Sequence, residues 1–553
     1  MCSKRYAVLT LVVTLLLAGT AHGCGPGPIP TLTRSELDEI GAACKAETAL
    51  GIEALNENPD FRDLVFVPDQ VIVTGAPDMV AQVAEAVQLR DLIGSYELDQ
   101  QTVMHLYNST GRPVQEVVCE VNALEPRFGA FADPNYYASP AQWIGAGSPW
   151  TQNGEWIGSL DGGGLSSAAG GDAFWGQWAL GPQGMHLFQT DGTRWGQQTG
   201  AGTRIAIFDT SPFDGADWED RRCKDCSLPD LMHGAEVFSS LAMTLTVWYP
   251  FDLTEAPTCP GDREPVKESS SKEGAELGSA TDHVLAGEKQ VVANRNGEDQ
   301  NISSHGLFVA GLAYAVAPDS DLYLIRVLEK DGCGTLYDIV KGIDVFMDES
   351  RATEQDMHST VFNLSFGMHK PPPEYDFALP GDIRFGTSDI RTLKQALQQA
   401  DDEGVTIVAA AGNDSYKPPP DPVREMELPA GYDFVTGVAA SSIDRGRGCF
   451  SNKGDIAAPG GNGAASGTDP CVIPACSDSD PGPCLVSLVY EPPARYAYWV
   501  GTSFAAPLVS GQRALLLGMP AWPPGSDVCP EATPTSLQGG IINWAKVSGA
   551  PCP

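Results

Sequence analysis

The sequence is poor in basic residues, in histidine and in long apolar runs, and each shortage excludes something. Only 34 Lys and Arg stand against 71 Asp and Glu in 553 residues, for a net charge of −37. Nucleic acid and anionic membrane surfaces both require Lys/Arg patches, so neither is an expected partner, and the acidity reads as a solvated surface. Beyond the first two dozen residues no stretch is long and apolar enough to span a bilayer. With eight histidines, no His pair follows Cys223-x-x-Cys226 at ligand spacing. No second pair of that kind follows either, so a structural disulfide is expected there rather than zinc. No metal site is assigned.

The chain is too long for one compact core, so two or more domains are expected. Lys4 and Arg5 precede the apolar run Tyr6 to Gly19, which ends in small residues, and residues 1–23 read as a secretory signal peptide. Cys24 then offers lipidation and a cell-envelope anchor as an alternative to plain cleavage and secretion. Position −2, in Ala21-His22-Gly23, departs from the usual lipoprotein pattern. A membrane partner is expected only through Cys24. Of 14 cysteines, Cys2 leaves with the signal. If Cys24 is the lipid site, an even number remains, with Cys44 and Cys119 in the N-terminal region. In an exported chain this favours disulfides inside each part.

Residues 25–137 read as a small α+β domain. A polar helix-like lead-in precedes a strand at Gln70 to Thr74 and a helix at Pro77 to Arg90 with Val80, Val83, Ala84 and Val87 on one face. Strands follow at Ile93 to Leu98 and Val103 to Tyr107. A helix at Pro113 to Ala123 turns Val114, Val117, Val118 and Val121 inward, and Phe128 to Phe131 is a last strand. The order β-α-β-β-α-β predicts a ferredoxin-like split-βαβ sandwich, a fold that by itself names no function. Residues 138–172 are rich in Gly, Ser and Trp and read as a linker.

From residue 173 onward, strand and helix alternate, which predicts an α/β domain with a parallel sheet covered on both faces. Insertions are expected at about 211–300 and 460–485. Within the first, Glu264 to Glu273 is a charged run read as a mobile surface loop, and in the second Cys471, Cys476 and Cys484 pin a Gly/Asp/Pro-rich loop. Thr203 to Phe208 is a buried-strand candidate with Asp209 at its carboxyl end, where such sheets collect active sites. His305 opens a small-residue helix, Ser304 to Gly311. Val405 to Ala410 is a strand running into Ala411-Gly412-Asn413-Asp414. Gly501-Thr502-Ser503-Phe504-Ala505-Ala506-Pro507 places Ser503 at the start of an apolar helix, where the dipole and free N–H groups favour a nucleophile. Pro507 is expected in the first turn.

Asp209, His305, Asn413 and Ser503, each in its own local motif and in this order, resemble the subtilase (subtilisin-like, peptidase S8) family of serine proteases. The resemblance covers roughly Ala173 to Met519. It implies a serine endopeptidase acting on protein or peptide substrates through an acyl-enzyme on Ser503, with His305 as base and acid and Asp209 holding the imidazole. It implies Asn413 as an oxyanion donor, Ser365-Phe366-Gly367 as a substrate-pairing edge, and Ala409 to Gly412, with Ala410 and Gly412, as the far pocket wall. The first domain resembles the inhibitory propeptide of that family, so the chain's own propeptide is a partner, and a zymogen cut between about Tyr137 and Gly171 is expected. No cofactor is required for the chemistry; structural calcium, common in the family, has no ligand set to which it can be assigned. Thr210-Ser211-Pro212 and His305-Gly306-Leu307-Phe308 depart from the family's usual Asp-Thr-Gly and His-Gly-Thr-His strings. Asp209 and His305 are 96 residues apart, where the family is commonly tighter. A catalytically silent surface binding protein on the same scaffold, and a peptide ligase sharing the acyl-enzyme, are the alternatives.

Overall fold

The computed structural model describes residues 32–57, 66–99, 101–140, 173–212, 304–329, 332–368, 390–413, 423–461, 484–491 and 494–519, with short stretches at 222–223, 243, 245–248, 378–379, 383–384, 415, 528–529 and 541–542. The signal peptide, Cys24, Cys226, Cys259, Cys471, Cys476, Cys552, residues 141–172 and most of both insertions lie outside the described residues. Two compact units divide the chain: Met1–Tyr136 with Lys370–Thr392, and Tyr137–His369 with Leu393–Pro553.

The first unit contains α1 (Arg34–Glu57), β1 (Phe66–Gly75), α2 (Pro77–Ala86), β2 (Asp91–Glu97), β3 (Val103–Asn108), α3 (Val114–Phe128) and the first part of β4 (Phe131–Pro140). The strands pair antiparallel in the order β4-β1-β3-β2, which with the intervening helices is the β-α-β-β-α-β arrangement expected. Pro77 at the start of α2 is preset for a first turn, and Val80, Val83 and Ala84 are the buried face. On α3, Val114, Val117, Val118 and Val121 are buried as the spacing predicts.

The end of α3 differs from the sequence reading. The helix continues through Pro126 to Phe128, and left-handed Gly129 (φ 65°) stops it, its N–H donating to the Glu125 carbonyl. Phe128, expected to open the last strand, therefore closes the helix, and the strand starts at Phe131. Cys44 of α1 is disulfide-bonded to Cys119 of α3, a pairing inside the N-terminal part. Residues 370–392, read from the sequence as catalytic domain, group with this unit. The buried Asp133 carboxylate accepts from the Thr392 N–H (2.8 Å) and hydroxyl (2.7 Å), and Arg391 forks onto Glu125.

The second unit is built on eight parallel strands. In chain order its elements are β5 (Arg204–Asp209), β6 (Leu245–Trp248), α4 (His305–Val316), β7 (Asp321–Arg326), β8 (Gly334–Thr335), α5 (Leu336–Ala352), β9 (Thr360–Leu364), β10 (Phe366–Met368), α6 (Arg391–Asp402, its first two residues counted with the first unit), β11 (Thr406–Ala410), β12 (Thr436–Ser441), β13 (Ile456–Pro459), β14 (Leu485–Glu491), β15 (Ala494–Trp499), α7 (Thr502–Leu517) and β16 (Ile541–Ile542). The parallel order is β16-β13-β12-β11-β9-β5-β7-β6, with the antiparallel pieces Val528–Cys529 and Arg222–Cys223 at its two ends. Every residue of β5 and β9 is buried, as helices on both faces require. The expected α/β parallel-sheet domain is present.

α4 and α7 pack on each other and share one core in which Phe308, Val309, Leu312, Phe504 and Leu508 are fully buried. α4 is buried on all sides, not on one face. That explains its small residues: a Cβ on Gly306 would lie 2.2 Å from the Thr210 carbonyl oxygen.

Residues 138–140, expected to open the linker, are strand. Tyr137 and Ala138 pair with Thr335 and Gly334 of β8, and Ala138–Pro140 pair antiparallel with Phe366–Met368 of β10. These four residues belong to the second unit. Backbone pairing on both sides makes them strand where composition alone suggested loop.

Candidate functional site

Two strand ends and two helix starts supply the site. Asp209 is the last residue of β5, His305 the first of α4, Asn413 follows β11, and Ser503 is the second residue of α7. All four side chains are buried, at 0–1% exposure.

His305 Nδ1 and Asp209 Oδ1 are 2.7 Å apart. The same carboxylate oxygen accepts the Thr210 N–H at 2.7 Å, and the Thr210 hydroxyl accepts the Gly306 N–H at 3.2 Å. The acid and the imidazole are thus tied through backbone on both sides, so Ser and Pro after Thr210 leave the local geometry intact. The imidazole sits against Phe504 and Trp499, with ring centroids 5.2 and 5.6 Å away. His305 Nε2 has no hydrogen-bond partner among the described residues. A buried ring nitrogen in that condition is costly unless something else comes to it.

Ser503 exchanges two hydrogen bonds with Ser365. Its hydroxyl donates to the Ser365 carbonyl at 3.1 Å, and the Ser365 hydroxyl donates to the Ser503 carbonyl at 2.8 Å. The second bond accounts for Pro507. This proline is not in the first turn, as expected, but inside α7. It has no N–H to give to the carbonyl four residues back, which is that of Ser503. The Ser365 hydroxyl takes the vacated place. Asn363 and Ser510, which the motif reading passed over, hold Ser365 there: Asn363 Nδ2 donates to the Ser365 hydroxyl and the Ser510 hydroxyl donates to Asn363 Oδ1, both at 2.9 Å.

The Asn413 amide has a fixed direction. Its Oδ1 accepts the Thr502 N–H at 3.0 Å, while the Thr502 hydroxyl accepts the Gly412 N–H at 3.2 Å. Asn413 Nδ2 consequently faces away and has no partner among the described residues. Gly412 takes φ +101°, a conformation that suits glycine. Two donors or acceptors left unpaired, Nε2 of His305 and Nδ2 of Asn413, flank the start of the helix that carries a hydroxyl.

Residues 201–551, more than half of the chain, match the subtilase family, peptidase S8. The chain belongs to the subtilase family. Among relatives of this subtilase, subtilisin DY of Bacillus licheniformis is 30% identical over 254 residues, 43% of this chain and 72% of its own length. Subtilisin BL of Lederbergia lenta is 30% identical over 236 residues, covering 40% of this chain and 66% of that one. A thermostable alkaline protease of Halalkalibacterium halodurans is 28% identical over 252 residues, 43% of this chain and 54% of that protein. The match thus spans between about half and two thirds of the last two. Fervidolysin of Fervidobacterium pennivorans, described as a keratinolytic enzyme related to subtilisin, aligns over 89% of this chain and 62% of its own at 19% identity, with TM-score 0.48.

In this subtilase the residues expected to line the substrate fall in two places. Phe366 and Gly367 are in β10, directly after Ser365; Ala410 ends β11 and Gly412 follows it, all buried. The motif reading missed Glu427, whose N–H donates to the Ala411 carbonyl at 3.0 Å. No sequence motif marks it. Beyond β8, Thr335 caps α5 by accepting the Asp338 N–H (3.2 Å) and donating to its carboxylate (2.7 Å). Burial pushes the Asp338 carboxyl up from 3.8 to about 6 against the pull of that hydrogen bond. Among the described residues no group of three or more His, Cys, Asp or Glu is placed to hold a metal ion. Cys333, Cys449 and Cys484 are disulfide-bonded.

Proposed function

We propose that the chain is a serine endopeptidase, exported and made as an inhibited precursor. The observation that carries the reading is the buried 2.7 Å contact between Asp209 and His305 Nδ1, with Nε2 left open. Asp209 fixes the tautomer that carries the proton on Nδ1, so Nε2 is the basic nitrogen. Ser503 Oγ gives up the Ser365 carbonyl and turns to Nε2, which takes its proton as Oγ attacks the substrate carbonyl. The oxyanion is received by Asn413 Nδ2 and by the Ser503 N–H, which lies in the first turn of α7 and has no intrahelical acceptor. His305 then returns the proton to the leaving amine, and water enters for the second half-reaction.

Substrate lies as an added strand between β8 and β10. Tyr137–Pro140 pair with both of these strands, which supports reading the preceding residues as a propeptide whose tail occupies the substrate track. The cut that releases it falls beyond Pro140, within residues 141–171. Residues 1–23 direct export, with Cys24 as a lipid site if the mature envelope form carries one. Among the described residues no helix is long and apolar enough to cross a membrane.

Mass spectrometry of the exported protein tests this. Wild type shortens beyond Pro140, while Ser503→Ala keeps residues 25–140; equal masses for the two would remove the self-processing precursor from the account. The same spectra show whether Cys24 carries lipid.

A further inference from the structure

We propose that the Ser365 carbonyl holds the Ser503 hydroxyl away from His305 until the N–H of the substrate residue just before the cut takes its place, so that the protease needs a free amide N–H at that residue to reach its full rate. This rests on the endopeptidase reading and adds to it what the substrate backbone must carry.

The resting hydrogen bonds leave the base without a partner. The Ser503 hydroxyl donates to the Ser365 carbonyl at 3.1 Å, while the buried His305 Nε2 has no partner among the described residues. The nucleophile is thus parked on an oxygen that cannot take its proton. Ser365 itself is held. Its hydroxyl donates to the Ser503 carbonyl at 2.8 Å and accepts from Asn363 Nδ2 at 2.9 Å, and Asn363 is held in turn by Ser510. With the acceptor fixed, it is the Ser503 hydroxyl that moves, by rotation about its Cα–Cβ bond.

The pairing along β10 sets what arrives at that oxygen. Successive residues of an antiparallel strand turn their N–H and C=O groups to opposite edges. Met368 gives its N–H to the Leu428 carbonyl at 2.9 Å, so Gly367, and Ser365 two residues before it, face the other edge. Ala138–Pro140 lie on that edge, with Ser139 opposite Gly367 and Pro140 opposite Phe366. Pro140 has no N–H to offer, and Phe366, whose groups face away, asks for none. A peptide in the same track and register therefore presents one bonding residue at Gly367 and the next, two residues on, at Ser365. With its N–H on the Ser365 carbonyl, that residue has its own carbonyl carbon about 2.5 Å further along the chain. That carbon is within reach of Ser503, so this is the residue before the cut.

The Ser365 carbonyl has two lone pairs, but sharing it between hydroxyl and amide leaves Nε2 unpaired. Passing the hydroxyl to Nε2 gives all three groups a partner. Backbone recognition and activation of the nucleophile are then one exchange of hydrogen bonds, and the substrate N–H acts on the rate and not only on binding.

The test uses the processed protein and two fluorogenic peptides that differ in one group. The residue before the cut is joined to its predecessor through the ordinary amide N–H in one and through an ester oxygen in the other. The oxygen is no bulkier than the N–H and cannot donate. Mass spectrometry confirms that both are cut at the same bond, and single-turnover kinetics reads acylation alone. The saturating rate for the ester peptide should be about 5–10-fold lower than for the amide peptide. An unchanged saturating rate, with or without a rise in the half-saturating concentration, overturns the proposal and leaves the endopeptidase standing, because the carbonyl then only binds. Histidine 15N NMR at alkaline pH reads the resting state. His305 Nε2 should have the same shift in processed wild type and in Ser503→Ala cut by added wild-type protease. A shift several ppm apart would mean that the hydroxyl already sits on Nε2, and overturns the proposal as well. Failure to cleave either peptide, together with no labelling of Ser503 by a fluorophosphonate, overturns both readings.

Discussion

The two sheets of this protein bury their strands differently. β2, on the edge of the antiparallel sheet in the first unit, leaves Leu92 and Ile93 about half exposed, at 47% and 49%. β5, central in the parallel sheet of the second unit, has no exposed residue. An antiparallel sheet can keep one face in water, whereas a parallel sheet is covered by its crossover helices. The consequence for function is direct. Side chains at the strand ends and helix starts of the second unit are held from every side, so a carboxylate, an imidazole and an amide can be aimed without help from solvent. The first unit also has buried, directed polar side chains, such as Asp133 and Thr392, but among its described residues no buried imidazole is bonded to a carboxylate.

That contrast is best broken first at Asn413. Asn413→Ala should lower kcat by about 10²–10³ with little change in KM, the range found on removing one oxyanion donor in a subtilisin. Steady-state kinetics on a cleaved peptide checks this, and a loss below threefold would mean that the amide is only structural. Next comes a matched pair. Gly306→Ala places a methyl 2.2 Å from the Thr210 carbonyl and 2.9 Å from Asp209 Cβ. Overpacking of about 1–3 kcal/mol outweighs the roughly 1 kcal/mol that alanine brings to a helix, and the displaced helix start moves His305 from Asp209. Ile93→Thr, on the half-exposed edge strand, should change stability by no more than about 0.5 kcal/mol. Denaturant unfolding of both variants measures the difference; equal effects would contradict the account of how the two sheets are buried.

A pH dependence is expected at Asp338. Its folded pKa is raised to about 6 from 3.8, so the folded state holds the proton more tightly than the unfolded chain. Stability from this group is present below about pH 4 and is lost as pH rises toward about 6. Asp338→Asn should flatten the melting temperature over that window. A variant that keeps the wild-type slope would place the titration elsewhere.

Much of this was legible because the chemistry sits at element boundaries. An apolar run ending in Asp209, a small-residue helix opening at His305 and the turn around Ser503 each mark a strand end or helix start, and the structure puts them there. The amphipathic spacing of α2 and α3 gave their buried faces for the same reason: period and burial agree. What was not legible depends on partners far away in the chain. Pro507 looked like a first-turn proline because nothing in the local string says that Ser365 will serve the Ser503 carbonyl. Residues 138–140 looked like linker because their pairing partners are at 334–335 and 366–368. Glu427 sits in no motif, and only the two glycines facing it, Gly367 and Gly412, show where its carboxylate goes.

The central claim is that Ser503, His305 and Asp209 act as one reactive unit, and fluorophosphonate labelling of the processed protein tests it most directly. Processed wild type should be labelled stoichiometrically on Ser503; with the variants cut by added wild-type protease, Ser503→Ala should take no label and His305→Ala should be labelled at a rate lower by several orders of magnitude. Labelling of His305→Ala at the wild-type rate, or a processed wild type that takes no label, would contradict it.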